Sequence, residues 1–541
     1  MKLLRVKLLG RNFRSLPANK DYVFNQSFES DRLSPKVLAG LNGSGKSNFL
    51  ELLAEIFYFC EIYHLYKLEK EKKYDLGFGF EIEYLLPIEK IISARGEVKF
   101  ENKWCHVRIN KLVDEDPEYS FKNLETDNFE RLDEKTQQLL PSKIIAYTSG
   151  QNELLSNPFH KIRFHYFETV KSEEKVKNSE IATLNRLFFI DPNANFIIFI
   201  SNMLLAEKRK LKILKNTFQF HEIHSFRITF NLVDIKKKQI KLNKDLNDNI
   251  EKLKLCSTTW IKKIEGNEII LILDFKVNGA TREAFAFHFK NSFNLFNSLY
   301  DLECLNLHLV PESSRNLILK SKKSLNISDE MSKPDPSRLA FRIEKIKLVK
   351  LVKGTLKELY YKSLSDGEHQ FNEVVGSLLM MEEYGCLFLF DEPDTHFNPL
   401  WRAKLIEILN KISEVDSKTV RPQEILLTTH SPYIIGDSRR ENVYKFHKLD
   451  GDVSFENPKI ETYGTSMTLI QQEVFDREIS ISDFSNLDLE ELRNSFKNLR
   501  SNEDLKDNIH KTKLALIDFG ESFEKFDLYN FLRQKETEID S

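Results

Sequence analysis

The chain of 541 residues has little that would suit a membrane or an oxidising compartment. None of its apolar runs reaches the ~18 residues that a membrane-spanning helix requires. Residues 1–10 alternate charged and apolar side chains and lack the continuous apolar centre of an export signal. The five cysteines are scattered and include no C-x-x-C pair, which argues against a disulfide framework and against a zinc site. We therefore expect a cytoplasmic protein that is not itself a membrane transporter.

The charge of the chain is nearly balanced, because 80 basic residues stand against 82 acidic ones and the net charge is −2. No overall field therefore draws the chain to nucleic acid or to a membrane surface. Two local clusters are basic at helical spacing. Each of them fits either a solvated helix face or a surface that binds phosphate backbones without reading sequence. The clusters are Lys208, Arg209, Lys210, Lys212 and Lys215, and Lys236, Lys237, Lys238, Lys241 and Lys244.

The most informative segment is residues 40–47, which read G-L-N-G-S-G-K-S. It follows an apolar strand end and precedes an apolar pattern of helical spacing, as a phosphate-binding loop does. Glycines let successive N–H groups point at a phosphate, and the helix N-terminus adds its positive dipole end. Lys46 would bridge the β- and γ-phosphates of a nucleoside triphosphate, and the Ser47 hydroxyl would coordinate Mg²⁺. The residues predicted to bind the nucleotide are Asn42, Gly43, Ser44, Gly45, Lys46 and Ser47.

Three further motifs lie in the second half of the chain. Residues 364–368, L-S-D-G-E, open an apolar run of helical spacing. The apolar strand that follows ends in Asp391, which would hold Mg²⁺ through water, and Glu392, which would polarise the water that attacks the γ-phosphate. A later apolar strand, residues 424–429, ends at His430. Each motif thus lies at a strand end or a helix start, which is where nucleotide sites form in α/β proteins.

In this order, the four motifs resemble those of the ATP-binding-cassette (ABC) ATPases. The segment L-S-D-G-E is similar to the L-S-G-G-Q signature of that class, with Asp366 in place of a Gly and Glu368 in place of Gln. SMC-like and RecF-like relatives tolerate such variants. His430 resembles the switch histidine. The resemblance implies an α/β fold of the ABC type, ATP and Mg²⁺ as cofactors, and Glu392 and His430 as catalytic residues.

The resemblance also implies an oligomer, because ABC ATPases bind ATP between the phosphate loop of one subunit and the signature of another. Ser365 and Gly367 would then face a γ-phosphate held by a second copy of the chain. One chain carries one loop and one signature, so a homodimer or a higher even oligomer is the simplest closed assembly. Gln151 follows the apolar segment 144–146. It is either the Q-loop glutamine, which would contact the nucleotide and the metal, or an ordinary surface glutamine.

The chain divides into four predicted segments. Residues 1–155 form an N-terminal ATPase lobe with the phosphate loop, and residues 156–340 form an inserted domain that is first helical and then mixed. Residues 341–464 carry the signature, the acidic strand end and the switch histidine, and residues 465–541 form a helical C-terminal region. Heptad repeats are not sustained in the insertion, which excludes a long coiled-coil arm of the SMC kind.

An apolar stripe marks the last helical segment of the chain. It is larger than a lone terminal helix would expose to water. We expect it to pack on the body of the protein, with a partner-binding surface as the alternative. Its members are Phe523, Phe526, Tyr529, Phe531 and Leu532.

The family resemblance extends to the segments around the motifs. Residues 11–16, R-N-F-R-S-L, and residues 391–399, D-E-P-D-T-H-F-N-P, resemble stand-alone RecF/SMC-like and OLD-like AAA ATPases, which serve DNA repair and phage defence. Length, short insertion and C-terminal tail most resemble the PtuA-type ATPases of Septu antiviral defence systems, including the retron-associated form. This resemblance implies a small, separately encoded HNH nuclease as partner, and DNA binding to phage DNA or to retron DNA or RNA.

Two other functions stay open beside a regulatory ATPase of a defence complex. One is a RecF-like DNA-repair ATPase that acts directly on DNA. The other is an OLD-like nuclease with a metal site that the sequence does not reveal. OLD nucleases carry a Toprim metal-binding domain after the switch histidine, but the segment after His430 shows no strand-borne Glu followed by an Asp-x-Asp strand. Asp450 and Asp452 have that spacing, but we predict a hairpin turn there, and hence no intrinsic nuclease site.

Overall fold

The computed structural model of the chain describes most of its residues. The described ranges are 1–24, 33–69, 76–94, 96–100, 103–123, 127–150, 154–172, 186–218, 220–233, 239–240, 242–265, 268–320, 327, 335–415, 419–497, 499 and 501–540.

The strands of these ranges belong to three larger sheets and one two-stranded ribbon. In chain order they are β1 (Lys2–Leu9), β2 (Asp21–Val23), β3 (Lys36–Ala39), β4 (Gly79–Pro87), β5 (Lys90–Ser93), β6 (Gly96–Lys99), β7 (Trp104–Lys111), β8 (Glu118–Lys122), β9 (Phe129–Arg131), β10 (Ile144–Thr148), β11 (Leu187–Phe189), β12 (Phe220–Asn231), β13 (Thr259–Glu265), β14 (Glu268–Lys276), β15 (Phe341–Val352), β16 (Thr355–Tyr360), β17 (Leu387–Asp391), β18 (Glu424–Thr428), β19 (Val443–Leu449) and β20 (Asp452–Glu456).

Helices connect and cover the sheets. In chain order they are α1 (Lys46–Glu69), α2 (Asn157–Ser172), α3 (Pro192–Leu205), α4 (Lys208–Phe218), α5 (Lys244–Cys256), α6 (Gly279–Phe289), α7 (Ser292–Glu303), α8 (Glu312–Lys320), α9 (Asp366–Met380), α10 (Pro399–Ser413), α11 (Pro432–Gly436), α12 (Met467–Phe475), α13 (Asp483–Asn494), α14 (Asn502–Ala515) and α15 (Phe523–Asp540).

The central sheet has the strand order β11-β10-β17-β18-β3-β19-β20. Neighbours from β11 to β19 run parallel, and β20 turns back antiparallel beside β19. Strands β3, β17 and β18 are buried at every position, which explains their continuous apolar runs. Because parallel strands end at one edge of a sheet, the loops that follow these three strands meet there. This architecture confirms the predicted α/β fold.

The predicted hairpin is also present. Leu449 on β19 pairs with Asp452 on β20, and the two residues between them, Asp450 and Gly451, both have positive φ angles of 53° and 94°. Two left-handed residues are what a tight two-residue hairpin turn requires. The Asp-x-Asp spacing is therefore a turn between antiparallel strands.

Helix α1 lies between the central sheet and a second, antiparallel sheet with the order β2-β1-β4-β7-β8-β9. Phe49, in its first turn, contacts Phe446 of the central sheet and Tyr22 of the antiparallel sheet, with ring centroids 6.0 and 5.3 Å apart. Two turns later, Phe57 packs edge-on against Tyr84 of β4. Apolar side chains occur on several sides of this helix, so it is buried between the two sheets and anchors the phosphate loop there.

Residues 156–340, predicted as an insertion, contribute to two layers of the molecule. Strand β11 extends the central sheet beside β10, and β12 to β14 join β15 and β16 in a five-stranded sheet with the order β13-β14-β12-β15-β16. The partner of β12 in that sheet, β15, lies beyond the predicted boundary. Helix α3 packs on α9, where Asn202 Nδ2 donates a hydrogen bond to the carbonyl oxygen of Gly376 over 2.8 Å. The boundaries at 155 and 340 thus divide shared sheets, and the four-segment division stays a prediction.

The C-terminal helices α13 to α15 enclose a small apolar cluster of their own, formed by Leu489, Phe496, Ile509, Leu516, Leu528 and Leu532. The expectation that the whole stripe on α15 packs inward is wrong for Phe523 and Phe526, whose side chains are 74% and 62% exposed. Nine residues, about two and a half helical turns, separate Phe523 from the buried Leu532, so the two side chains point to opposite sides of the helix.

Among the helices of the described ranges, none is long and apolar enough to cross a membrane.

Candidate functional site

The phosphate loop turns sharply between β3 and α1, and two of its glycines are required by their surroundings. Gly40 has a φ of 139°, and a Cβ atom there would lie 2.4 Å from the carbonyl oxygen of Phe446. Gly45 has a φ of 97°, and its Cβ would meet the methyl groups of Val453 at 2.8 Å. Neither position admits a side chain without displacing the neighbouring hairpin. The loop therefore holds its shape through glycine and through β19 and β20.

Lys46 folds back over the loop. Its Nζ donates hydrogen bonds to the carbonyl oxygens of Gly40 and Leu41, over 3.0 and 2.9 Å. Burial lowers the pKa of Lys46 to about 8, and the carboxylates of Glu392 and Asp391 oppose that shift. The site thus places a largely desolvated cation where a phosphate group would supply compensating negative charge.

The residues of the loop fit a bound triphosphate. Ser44 Oγ is buried and, among the described residues, has no hydrogen-bond partner. A buried hydroxyl without a partner is costly, and a phosphate oxygen would accept from it. Lys46 could exchange its two loop carbonyls for phosphate oxygens, which are stronger acceptors because they are charged. Asn42 and Gly43 lie at the exposed tip of the same loop.

Asp391 joins the phosphate loop to the central strands. Ser47 Oγ and Thr428 Oγ1 both donate hydrogen bonds to its Oδ1 atom, over 2.8 and 2.7 Å. The carboxylate is nearly fully buried. Hydroxyl and carboxylate oxygens are ligands that Mg²⁺ accepts, so Ser47 and Asp391 would hold this ion, directly or through water.

Glu392 follows Asp391 in an unusual backbone conformation. Its φ is 51°, in the left-handed region that few residues other than glycine adopt. Its N–H donates to Thr428 Oγ1 over 2.9 Å, which fixes the peptide group before it. The side chain is 42% exposed and points toward His430, whose Nε2 lies 3.6 Å from Glu392 Oε1. The carboxylate is thus accessible to a water molecule, as a general base must be.

His430 stands beside this carboxylate as a neutral imidazole. Burial and, to a smaller extent, the charge of Lys46 lower its pKa to about 4, although the nearby Asp391 carboxylate raises it. At neutral pH the ring therefore carries one N–H donor and one acceptor nitrogen. It can hold a phosphate oxygen or a water molecule by hydrogen bonding without adding a positive charge.

The signature segment opens α9. Ser365 is the N-cap residue of this helix and forms a capping box with Glu368: its Oγ accepts from the Glu368 N–H over 3.3 Å, and Glu368 Oε2 accepts from the Ser365 N–H over 2.9 Å. Gly367 is required, because a Cβ there would lie 2.7 Å from the carbonyl oxygen of His396. Ser365 and Asp366 are exposed. The N-terminus of α9 is therefore accessible to a ligand from outside the chain.

One predicted site residue, Gln151, lies outside the described residues. The segment before it runs beside the site, since the Ser149 N–H donates to the carbonyl oxygen of Asp391 over 3.1 Å.

The first basic cluster, on α4, is partly engaged within the chain. Lys210 is buried, with its Nζ 3.5 Å from Glu207 Oε2, and Arg209 Nη2 donates to the carbonyl oxygen of Glu414 over 3.2 Å. These contacts favour a structural role for both cations. Four lysines of the second cluster, at 236–238 and 241, lie outside the described residues, and Lys244 begins α5.

Thr428 is a site residue that sequence reasoning missed. It contacts both acidic residues, through the Asp391 carboxylate and the Glu392 N–H. Its neighbour Thr429 donates to Asp394 Oδ1 over 3.0 Å. The available signal was a pair of hydroxyl residues at the end of an otherwise apolar strand, directly before His430. Such residues are unusual in a fully buried strand unless their hydroxyl groups have partners.

Part of the chain is similar to known proteins. Residues 169–436 match a family described as "AAA domain, putative AbiEii toxin, Type IV TA system". The match includes the signature, both acidic residues and His430. The chain is 29% identical to the Septu protein PtuA of Bacillus thuringiensis over 85 residues, which is 16% of this chain and 17% of that protein. The chain is thus similar to this family over residues 169–436 and to PtuA over a short segment.

Two further proteins are similar to the chain. Protein ea59 of Escherichia phage lambda is 22% identical over 211 residues, which is 35% of this chain and 39% of that protein. The chain therefore spans less than half the length of either curated relative. The crystal structure of the SmcHead bound to the C-winged helix domain of ScpA aligns over 84% of this chain and 98% of that one, with 11% identity and a TM-score of 0.32. Because that superposition is loose, the fold assignment rests on the strand order and the motifs.

Proposed function

We propose that the chain binds ATP with Mg²⁺ and hydrolyses it. The observation that carries this proposal is the convergence of Ser47 and Thr428 on one oxygen of Asp391, next to Lys46. The loop amides and Lys46 would bind the β- and γ-phosphates, and Ser47 and Asp391 would hold the metal ion. When bound, Mg²⁺ neutralises phosphate charge and orients the triphosphate.

Glu392 would accept a proton from the attacking water in this reaction. Its exposed carboxylate and its fixed backbone suit that role. His430, as a neutral ring, would hold the water or the γ-phosphate in line with the carboxylate. Such a division of roles predicts that loss of Glu392 affects the rate more than loss of His430.

We further propose that the active form is a homodimer, or a higher even oligomer, with composite sites. The support is the exposed N-terminus of α9, where Ser365 offers a hydroxyl group and the helix offers its positive dipole end. Gly367 would let a γ-phosphate approach the backbone. A closed dimer would use the loop and the signature of both chains and leave neither exposed.

In the cell, we propose that this ATPase is the regulatory or sensor subunit of an antiviral defence complex in the cytoplasm, where ATP is available. It would control a separately encoded HNH nuclease and respond to phage DNA or to a retron DNA or RNA. The support is the similarity to the Septu protein PtuA and the match to a family named after a toxin. The motifs for ATP binding are compatible with this role but do not define it.

Purification of the chain from its native operon tests this role. We expect a small HNH protein to co-purify in a fixed stoichiometry, and DNA cleavage to require that protein and to change with ATP. A matched preparation with Lys46→Ala tests the dependence on nucleotide. Direct binding to DNA ends without a nuclease partner would instead support a RecF-like repair ATPase. Cleavage of DNA by the purified chain alone, with Mg²⁺ or Mn²⁺, would support an OLD-like nuclease.

A further inference from the structure

We propose that Gln370 is a positioning residue that ties the signature helix α9 to the catalytic carboxylate of the same chain. This inference rests on the proposed ATPase function and on composite sites. It adds a physical link between the two sites of a dimer: α9 of one chain would contact the partner's nucleotide, and Gln370 would transmit its position to Glu392 in the chain's own site.

The Gln370 side chain forms three hydrogen bonds to residues outside its own helix. Its side chain is 1% exposed. Its Nε2 donates to the hydroxyl oxygen of Tyr147 over 3.2 Å and to the carbonyl oxygen of Glu392 over 3.4 Å. Its Oε1 accepts from the N–H of His396 over 2.8 Å. One amide group thus joins α9 to the end of β10 and to both ends of the turn that carries Glu392.

Glu392 depends on such contacts because of its left-handed backbone. A residue other than glycine holds this conformation only when its surroundings over-determine it. The Thr428 hydroxyl fixes the N–H of Glu392. Its carbonyl oxygen accepts from Gln370 and from Thr395 Oγ1, the latter over 3.0 Å. Gln370 is therefore the contact that relates the orientation of Glu392 to another helix.

The same helix carries the surface that would meet the partner's nucleotide. Gln370 lies five residues after Ser365, on a helix that runs unbroken from Asp366 to Met380. Gly367 adds a second contact, because its Cα packs directly under the carbonyl oxygen of His396. A shift of α9 on nucleotide binding would therefore move the turn from Glu392 to His396 with it. Each composite site would sense whether the other is occupied.

Two variants and a control test the link. Gln370→Met has a similar volume and removes all three hydrogen bonds. Gln370→Glu keeps an acceptor for the His396 N–H but places an oxygen against the Glu392 carbonyl. We expect kcat to fall about tenfold or more in both, with the ATP dissociation constant within about twofold of the parental value. Ser377→Ala, on the same helix, removes a buried hydroxyl that donates within this helix to the carbonyl oxygen of Val374, and this variant should hydrolyse ATP at the parental rate. Parental kcat in both Gln370 variants would overturn the inference.

Mixed dimers show in which of the two ATP sites the Gln370→Met substitution acts. In the first dimer, one chain carries Gln370→Met and the other carries Glu392→Gln, so the only chain that can hydrolyse ATP has the Gln370 lesion beside its own Glu392. In the second, one chain carries both changes and the other is parental, so the lesion lies only in the donated signature. We expect the first to be at least about tenfold slower than a parental–Glu392→Gln dimer, and the second to match it. Loss in the second dimer alone would overturn the inference, because Gln370 would then serve the signature and not Glu392.

Failure of the proposed function gives a different result. The parental and Ser377→Ala chains would then show no ATP turnover that depends on Lys46, and the inference would fall with it. Failure of the inference alone leaves parental turnover intact and Gln370→Met equal to it. Thermal unfolding of each variant, measured in parallel, separates a folding defect from a catalytic one. Gln370→Glu is the variant less prone to a packing defect, because it keeps the size of the side chain.

Discussion

Ser47 Oγ donates a hydrogen bond to Asp391 Oδ1 over 2.8 Å, and so joins two segments that lie 344 residues apart in the chain. The serine lies in the first turn of α1, directly after the phosphate loop, and the aspartate is the last residue of the central strand β17. In a Mg²⁺-dependent nucleotide site, these are the two groups between which the ion is held. Their hydrogen bond places the side chains of the two proposed metal ligands next to each other.

The first prediction concerns nucleotide binding. Lys46→Ala removes the cation of the phosphate loop, and we expect ATP affinity to fall by about 2–5 kcal/mol, or roughly 30- to 4,000-fold. Isothermal titration calorimetry measures this loss. Lys212→Ala, an exposed lysine on α4, is the matched control and should bind ATP like the parental chain. Near-parental affinity in Lys46→Ala would remove the phosphate-loop assignment.

The second prediction concerns pH. Lys46 has a pKa of about 8 in the folded chain, below its ordinary value because of burial. An anionic ligand favours the protonated amine, so ATP affinity should weaken as pH rises above about 8, by at most tenfold per pH unit. Lys46→Arg keeps its charge throughout this range, so its weaker ATP binding should depend less on pH. Equal pH profiles for the two chains would contradict the proposed role of the amine.

The third prediction separates binding from hydrolysis. Glu392→Gln keeps the shape of the side chain but loses the proton acceptor, so ATP should bind normally while turnover falls by at least ~10²-fold. His430→Ala should lower turnover less, because the histidine would only hold the reacting groups. Steady-state phosphate release and ATP binding, measured on the same preparations, give both quantities. If both variants keep the parental rate, another residue is the base.

The fourth prediction tests Thr428. Thr428→Val has nearly the same shape but deprives Asp391 of one donor and leaves the N–H of Glu392 without its acceptor, which costs about 1–3 kcal/mol when such a group is buried. We expect a lower melting temperature and about tenfold slower turnover. Thr428→Ser should restore most of both. Thr512→Val, a buried threonine of α14, is a control that should not change turnover.

The fifth prediction tests composite sites. When Lys46→Ala and Ser365→Arg chains are mixed, one site of a mixed dimer combines the intact loop of the second chain with the intact signature of the first. ATPase activity should then return to at most about half of the parental level, if subunits exchange and the sites act independently. If mixed dimers form but show no ATPase activity, either the two sites are strictly coupled or the signature acts within its own chain. Mixing each mutant with the parental chain separates these two cases, because strict coupling predicts an inactive mixed dimer, whereas a signature that acts within its own chain leaves the parental chain of that dimer active.

The parts of the site that depend on local backbone geometry could be predicted from the amino-acid sequence. A phosphate loop requires glycines, a lysine and a serine at fixed spacing, and a strand before and a helix after it, so residues 40–47 could be identified without a structure. The buried parallel strands could also be predicted, because their residues form apolar runs. The hairpin at Asp450 and Gly451 followed from turn chemistry alone.

Contacts between residues that are distant in the chain could not be predicted in this way, because they depend on how the strands and helices pack. Thr428 reaches Asp391 because β17 and β18 are neighbours in register, and Gln370 reaches Glu392 because α9 packs over the end of β17. Likewise, β11 joins the central sheet although it lies within the predicted insertion, and Phe523 faces solvent although its stripe is apolar. Strand order and helix orientation arise from the packing of the whole chain. The pattern of side chains along one segment indicates its secondary structure, but it does not indicate which other segments pack against it.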